Sequence, residues 1–371
     1  MSQNITYHSV IPENNKNAYS EFDVVDFRAE LKGVMMNLNS VRISGVFDIR
    51  DETGAQISAK RCQLDKNTGC HSFFQQIQTF VGGQSIDNIM EYPRLVKQLT
   101  SASENQADMF QSHNLCELKA PCDIVAQQML SGETIPTQGA TAIRKNMDFS
   151  CKPMISLNQV YSDRRQLSAS KASDVRVVVT LARDASVMYG LDVVANYTYS
   201  LSDLRLEYTS YPDDGNTEPI VFKRRQGLKQ SFASTSAQLN FQYPMLVSSV
   251  YGSFLSQADE NQPSKNNVAL QKPPGVRTMS FFFNNATNEY VTYQLRSQVE
   301  IVERYIDAIG NSGHNSASLM NLANNNGYGI GLNLQEMVDL SKTKFSVVIE
   351  SQLPSSEPML LVLFAEGVGQ F

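Results

Sequence analysis

Four histidines, five cysteines, one glycine-rich run and one basic cluster hold most of the chemistry this chain could perform. His8, His71, His113 and His314 lie far apart in sequence. Cys62, Cys70 and His71 could begin a metal site, but a closed tetrahedral zinc site needs a fourth ligand at regular spacing, and none follows. A small buried thiol and a surface imidazole is the expected reading. No H-E-x-x-H, G-x-S-x-G, G-x-x-x-x-G-K or C-x-x-C pattern occurs. Gly327-Tyr328-Gly329-Ile330-Gly331 looks like a nucleotide loop, yet a strand-like segment follows where a helix is required. Close backbone packing explains those glycines better. The sequence therefore predicts no catalytic, cofactor-binding or metal-binding residues.

Lys223-Arg224-Arg225, with Lys229 beyond, is the basic cluster with enough density to weigh; Arg144-Lys145 and Arg164-Arg165 are only pairs. It could bind phosphate, but a solvated linker face or an ion-pair donor between subunits is the favoured reading. The net charge of −6 supplies no global positive field, so sequence-specific nucleic-acid binding is not expected. The chain contains no Trp, the usual sugar platform; its 15 Tyr residues could substitute, but such residues are ordinary in cores and interfaces.

Five cysteines (Cys62, Cys70, Cys116, Cys122, Cys151) at irregular spacing argue against a disulfide framework and for reduced thiols. Met1–Ser20 lacks a charged segment followed by an apolar one, and no stretch reaches a membrane span. Synthesis in the cytoplasm without a signal peptide is expected. Asn4, Asn196 and Asn285 open N-x-Thr triplets that then carry no glycan.

The elements that would position these groups are mostly strands. Val25, Phe27, Ala29 and Leu31 alternate with Asp26, Arg28 and Glu30, and Val41, Ile43, Phe47 and Ile49 repeat the pattern with Gly45 as a bend or bulge. Residues 1–20 are polar and aperiodic and read as an arm. Residues 100–146 are too long for an ordinary connection and suggest a structured excursion, with a helix near Asp123–Leu130. Leu239–Leu255 reads as one or two strands broken near Pro244, and Ser256–Val276 as a second surface projection ending in Pro273-Pro274-Gly275. Asn311–Gly331 is rich in Asn, Ser and Gly and reads as irregular.

At 371 residues the chain is long enough for two cores. The order of landmarks occurs twice. Phe73–Val81, the turn Gly82-Gly83, Gln84–Met90 and a helical face of Tyr92, Leu95, Val96 and Leu99 are matched by Met279–Phe283, Asn284-Asn285, Val291–Leu295 and a face of Ile301, Val302, Tyr305, Ile306 and Ile309. Val175–Leu181 and Leu204–Tyr208 close the first copy; Phe345–Ile349 and Met359–Phe364 close the second. The turn-rich Pro212-Asp213-Asp214-Gly215-Asn216 marks the boundary, giving an arm over 1–20, a first unit over 21–212 and a second over 213–371, of which 213–230 is a linker region. The predicted fold is all-β: two consecutive eight-stranded jelly-roll sandwiches with a few short helices and long loops.

Gly83-Gln84-Ser85-Ile86-Asp87-Asn88-Ile89 leading into Tyr92-Pro93-Arg94-Leu95, the closing run Tyr199–Tyr208, and Val338-Asp339-Leu340-Ser341 before the last strands are similar to the double jelly-roll major capsid proteins. That family includes coats of membrane-containing tailless phages, the adenovirus hexon, and coats of virophages and Polinton-like viruses. The resemblance covers about Phe22–Phe371 and is one of arrangement. It implies a non-enzymatic virion protein, a homotrimer of pseudohexagonal outline tiling an icosahedral shell, with loops near 100–146 and 252–275 projecting outward or gripping neighbours. It also implies minor capsid or penton partners, leaves contact between the arm and an internal membrane open, and assigns Lys223, Arg224 and Arg225 no ligand. Two other readings stay open on the residues alone: a β-sandwich binding module, such as a minor capsid or spike protein recognising glycan or protein, and an enzyme built from dispersed carboxylates.

Overall fold

A computed structural model describes residues 5–50, 62–65, 67–103, 116–119, 147–190, 198–233, 235–270, 276–284, 290–310, 329–351 and 358–371. The expected helix at 123–130, the bulk of the 100–146 excursion, Asn285, Pro273-Pro274-Gly275 and the Asn311–Tyr328 stretch lie outside those residues, as do Arg144-Lys145, His113 and His314.

In chain order the first unit contains β1 (Thr6–Val10), β2 (Val24–Glu30), β3 (Val34–Asn37), β4 (Arg42–Arg50), β5 (Cys62–Leu64), β6 (Phe74–Val81), β7 (Gln84–Met90), α1 (Tyr92–Ser103), β8 (Met147–Cys151), β9 (Gln166–Ser168), β10 (Asp174–Leu181), the short α2 (Asp184–Val187), β11 (Met188–Gly190) and β12 (Thr198–Pro212). The second contains β13 (Val221–Phe232), β14 (Ser236–Phe241), β15 (Leu246–Ser256), β16 (Val276–Asn284), β17 (Tyr290–Leu295), α3 (Gln298–Gly310), β18 (Ile330–Asp339), β19 (Lys344–Ser351) and β20 (Met359–Gln370).

The second unit pairs as β18-β15-β20-β13 in one sheet and β14-β19-β16-β17 in the other. Its eight strands taken in sequence as B to I give the orders G-D-I-B and C-H-E-F, which is the jelly roll. The first unit repeats this plan: β2-β10-β6-β7 is C-H-E-F, and β1, β12, β4 and β8 take the places of B, I, D and G, with β3 and β9 added beyond one end of β12. Both long helices occupy the same place in the plan, between strands F and G.

Local sequence explains the elements. In β2 the alternation puts Val25, Phe27 and Ala29 into the core while Arg28 and Glu30 stay outside. Gly82 and Gly83 close the β6–β7 hairpin with φ of 55° and 80°, the left-handed region that glycine enters at no steric cost. Opposite Gly45 the β4–β12 register shifts between Ser202 and Arg205, and a Cβ on Gly45 would approach Leu204 Cδ2 to 2.7 Å. Pro244 falls in the break between β14 and β15, so Leu239–Leu255 belongs to two strands.

Two expectations about the elements are corrected: Val221–Phe232, most of the expected 213–230 linker region, is strand β13 paired along its length with β20, and the N-terminal arm is partly a strand. Thr6–Val10 is not part of an aperiodic arm; it is strand β1, antiparallel to β12 from Thr6↔Ser210 to Val10↔Leu206. Its polar residues hide a strand because only one face is covered: Val10 packs on the core and His8 stacks on Tyr208 at 4.7 Å.

Candidate functional site: the junction between the two jelly rolls

The two units share a sheet. Strand β7 of the first runs parallel to β13 of the second, with Asn88 opposite Gln226 and Ile89 opposite Gly227, which fuses two four-stranded sheets into one of eight. Gly227 is required for that approach, because a Cβ there would lie 2.7 Å from the Phe364 ring and against the Met90 carbonyl. Arg224 adds a clasp, donating from Nε to the Ile86 carbonyl at 2.9 Å.

The basic cluster lies inside this junction. Lys223 and Arg225 are buried, not on a solvated linker face, and their charges meet Glu366 on β20: Lys223 Nζ to Oε1 at 2.8 Å and Arg225 Nε to Oε2 at 2.7 Å. The ion-pair reading holds in kind, but the partner is within the chain rather than in another subunit. Tyr251 donates its hydroxyl to Glu366 Oε2 at 3.0 Å, and Arg225 Nη1 donates to Gln159 Oε1 of the first unit. Burial pushes Lys223 down to about 8 against the pull of Glu366. Burial would raise Glu366, but Arg225 and then Lys223 outweigh it and hold the carboxyl below its ordinary value. Such a group specifies one arrangement of elements more than it adds net stability.

Helix α1 is the wedge. Tyr92, Leu95, Val96 and Leu99 enter the first unit's core as their spacing predicts, but Arg94, Lys97, Gln98 and Thr100 are buried too. Two of them meet the second unit, Gln98 Nε2 donating to Ser253 Oγ at 3.3 Å and Arg94 Nη2 donating to the Asn267 carbonyl, while Lys97 and Thr100 bond to Asn67 of the first. One continuous cluster of buried side chains accordingly joins the first unit's core to Tyr251, Tyr305, Ala308, Ile309, Val362 and Phe364 of the second.

Residues 257–270, expected as a projection, instead fold back onto the first unit. Asn266 donates to Asp65 Oδ2 at 2.7 Å, and Asp65 is held in turn by Lys97 at 2.7 Å. Asn267 donates to the Ala185 carbonyl at 2.6 Å and accepts from the Asn261 amide at 3.0 Å. The polar composition that suggested an exposed loop is spent on these buried hydrogen bonds. Between this loop, α1 and α2 lies a cavity of about 320 Å³ where Lys229 bridges Glu91 and Glu260, 2.7 Å from each.

The remaining sequence candidates are placed as follows. His71 is buried, not on the surface, 2.9 Å from the Tyr92 hydroxyl and 3.1 Å from Glu117 Oε2. Burial pushes it below its ordinary value against the opposing pull of Glu117. Cys70 and Cys151 are buried free thiols and Cys116 is exposed. Arg164 pairs with Asp214 at 2.9 Å. Gly329 and Gly331 flank the entry to β18, where a Cβ on Gly331 would lie 2.7 Å from the Ala308 Cβ, so close packing against α3 is their role. Sequence reasoning missed Glu366, Asp65 and Asn267, whose partners are distant in sequence; Glu366 alone gave a signal, as the single charge in the run Met359–Gly369.

Two consecutive jelly rolls joined by a shared sheet define the class of protein. No family model and no curated protein sequence matches the chain. Solved structures do. The Faustovirus major capsid protein superposes with a TM-score of 0.60 at 9% identity, covering 100% of this chain and 90% of that one. The mavirus major capsid protein gives 0.54 at 9% identity over 98% and 88%. A chain of the Sputnik virophage gives 0.54 at 11% identity over 99% and 86%. The chain has the double jelly-roll fold of viral major capsid proteins.

Proposed function

We propose that this protein is a viral major capsid protein that assembles as a homotrimeric capsomer of pseudohexagonal outline, six jelly rolls tiling an icosahedral shell. The observation that carries the reading is the full-length match to capsid proteins across both units and the junction between them. Such a role needs the two barrels held at one fixed angle, and the shared sheet, the Arg225–Gln159 hydrogen bond and the α1 contacts each tie one unit to the other. The reading assigns the chain no catalytic role, places it in the virion, and divides it near 212, with minor capsid or penton proteins as further partners. The first unit then takes in β1. Negative-stain images of the purified protein test the reading: particles with a hexagonal outline support it, and single elongated two-lobed particles at every concentration contradict it.

A further inference from the structure

The cavity between α1, α2 and residues 257–270 has a wall in which cations outnumber carboxylates. Arg94, Lys229 and Arg183 line it against Glu91 and Glu260, one positive charge in excess. The carboxylates are occupied: Glu91 Oε1 takes Gln75 Nε2 at 2.8 Å and Lys229 Nζ at 2.7 Å, and Glu260 Oε1 takes Lys229 Nζ at 2.7 Å. A donor is left over. Arg94 is 4% exposed; its Nη2 donates to the Asn267 carbonyl and its Nε stands 3.4 Å from Glu91 Oε2, while Nη1 is buried with no hydrogen-bond partner. Burial pushes this arginine below its ordinary value against the pull of Glu91 and Glu260. A buried guanidinium N–H without an acceptor is costly, and native proteins leave few of them. Arg183, exposed at the rim, forms no ion pair among the described residues, and its guanidinium lies over the Phe22 ring at 5.1 Å. Phe22 is 53% exposed with φ of 63°, a conformation that a bulky residue holds only under constraint, and such constraint clusters at ligand sites.

We propose that this cavity binds a carboxylate carried on an apolar body, its charge between Arg94 and Lys229 under Arg183, and its carbon atoms against Phe22, Pro93 and Val268. A single negative charge matches the excess, and an acceptor answers the donor that lacks one. A planar carboxylate also takes two parallel N–H bonds from a guanidinium. The 3.4 Å contact with Glu91 is longer than an ordinary charge-assisted bond, so the guanidinium can turn Nη1 toward the ligand without breaking a close pair. Inorganic phosphate has no apolar part to meet the rim. A volume of about 320 Å³ suits a small organic acid or one acidic side chain with its neighbour. Free acid and protein-borne acid share this chemistry, and the choice between them is experimental.

Calorimetric titration of the purified full chain tests the site with sodium benzoate, with benzamide as its neutral isostere, and with sodium phosphate. Benzoate should bind saturably and about tenfold tighter than either of the others. Arg183→Gln changes an exposed residue and should leave the melting temperature of the free protein unchanged while weakening benzoate about threefold. Arg94→Lys keeps the charge but not the fork and should weaken benzoate about tenfold. The capped dipeptide acetyl-Phe-Glu-amide separates the sources: tighter binding than benzoate points to an acidic side chain of a protein partner, and weaker binding to a free acid. The site is overturned by no saturable benzoate binding, by benzamide or phosphate binding as tightly as benzoate, or by benzoate affinity unchanged in both variants. None of these results bears on the hexagonal outline that tests the capsomer.

Discussion

Arg225 and Glu366 face each other across β13 and β20, Nε to Oε2 at 2.7 Å, with 2% of each side chain exposed. They sit on the face of the second unit's sheet that the first unit covers, where Gln159 also reaches Arg225. Lys223 and Tyr251, which complete the group around Glu366, belong to the same unit as the pair, and Gln159 is the first unit's contribution to it.

Glu366→Gln keeps the shape but leaves Lys223 and Arg225 buried without a counter-charge. The expected cost is about 3–5 kcal/mol, read as a lower midpoint in urea denaturation. A loss under about 1 kcal/mol would show that the cluster is solvated.

Val177 and Arg176 are neighbours in β10 with opposite facing: Val177 is fully buried, while Arg176 is exposed and paired with Asp26 across the strands. Val177→Asp should cost several kcal/mol by burying an unpaired charge, and Arg176→Ala under about 0.5 kcal/mol. Thermal unfolding of the two variants checks the facing, and equal effects would refute it.

Asp184 is raised to about 6, first by burial and then by Glu21, against a hydrogen bond from the Tyr199 amide. The folded state therefore binds more protons than the unfolded state between about pH 4 and 6, so stability falls as pH rises through that window and stays lower above it. Asp184→Asn, which keeps the acceptor for Tyr199, should raise stability at pH 7.5 by about 1 kcal/mol after allowance for the partial exposure of the site, and should flatten the pH profile. Denaturation midpoints at pH 4.5 and 7.5 for both proteins give the comparison; an unchanged profile would remove Asp184 as its source.

Burial pushes the Cys70 thiol well above its ordinary value, whereas Cys116 is exposed. Alkylation of the native protein at pH 8 followed by peptide mass mapping should label Cys116 within minutes and spare Cys70 and Cys151 until denaturant is added. Rapid labelling of Cys70 would show that the 116–119 segment does not cover it.

Periodicity made the strands legible wherever one face is wet and the other dry, as in β2, β4 and β10, and it made α1 and α3 legible by their apolar stripes. The repeated order of landmarks carried the double jelly roll. Strand β1 was illegible because its covered face carries only His8 and Val10 and its other side chains are exposed, and its pairing is set by β12 some 200 residues away. The junction was illegible for a related reason. Lys223, Arg225 and Asn267 read as surface residues by type, and Glu366, Gln159 and the Ala185 carbonyl, brought in from elsewhere in the chain, help make their burial tolerable.

The central claim is that this fold builds a capsomer. Size-exclusion chromatography coupled to light scattering measures it most directly: the account predicts one species of about 124 kDa, three chains of 41.3 kDa each, stable on dilution. A single species of about 41 kDa that stays monomeric as concentration rises would contradict it.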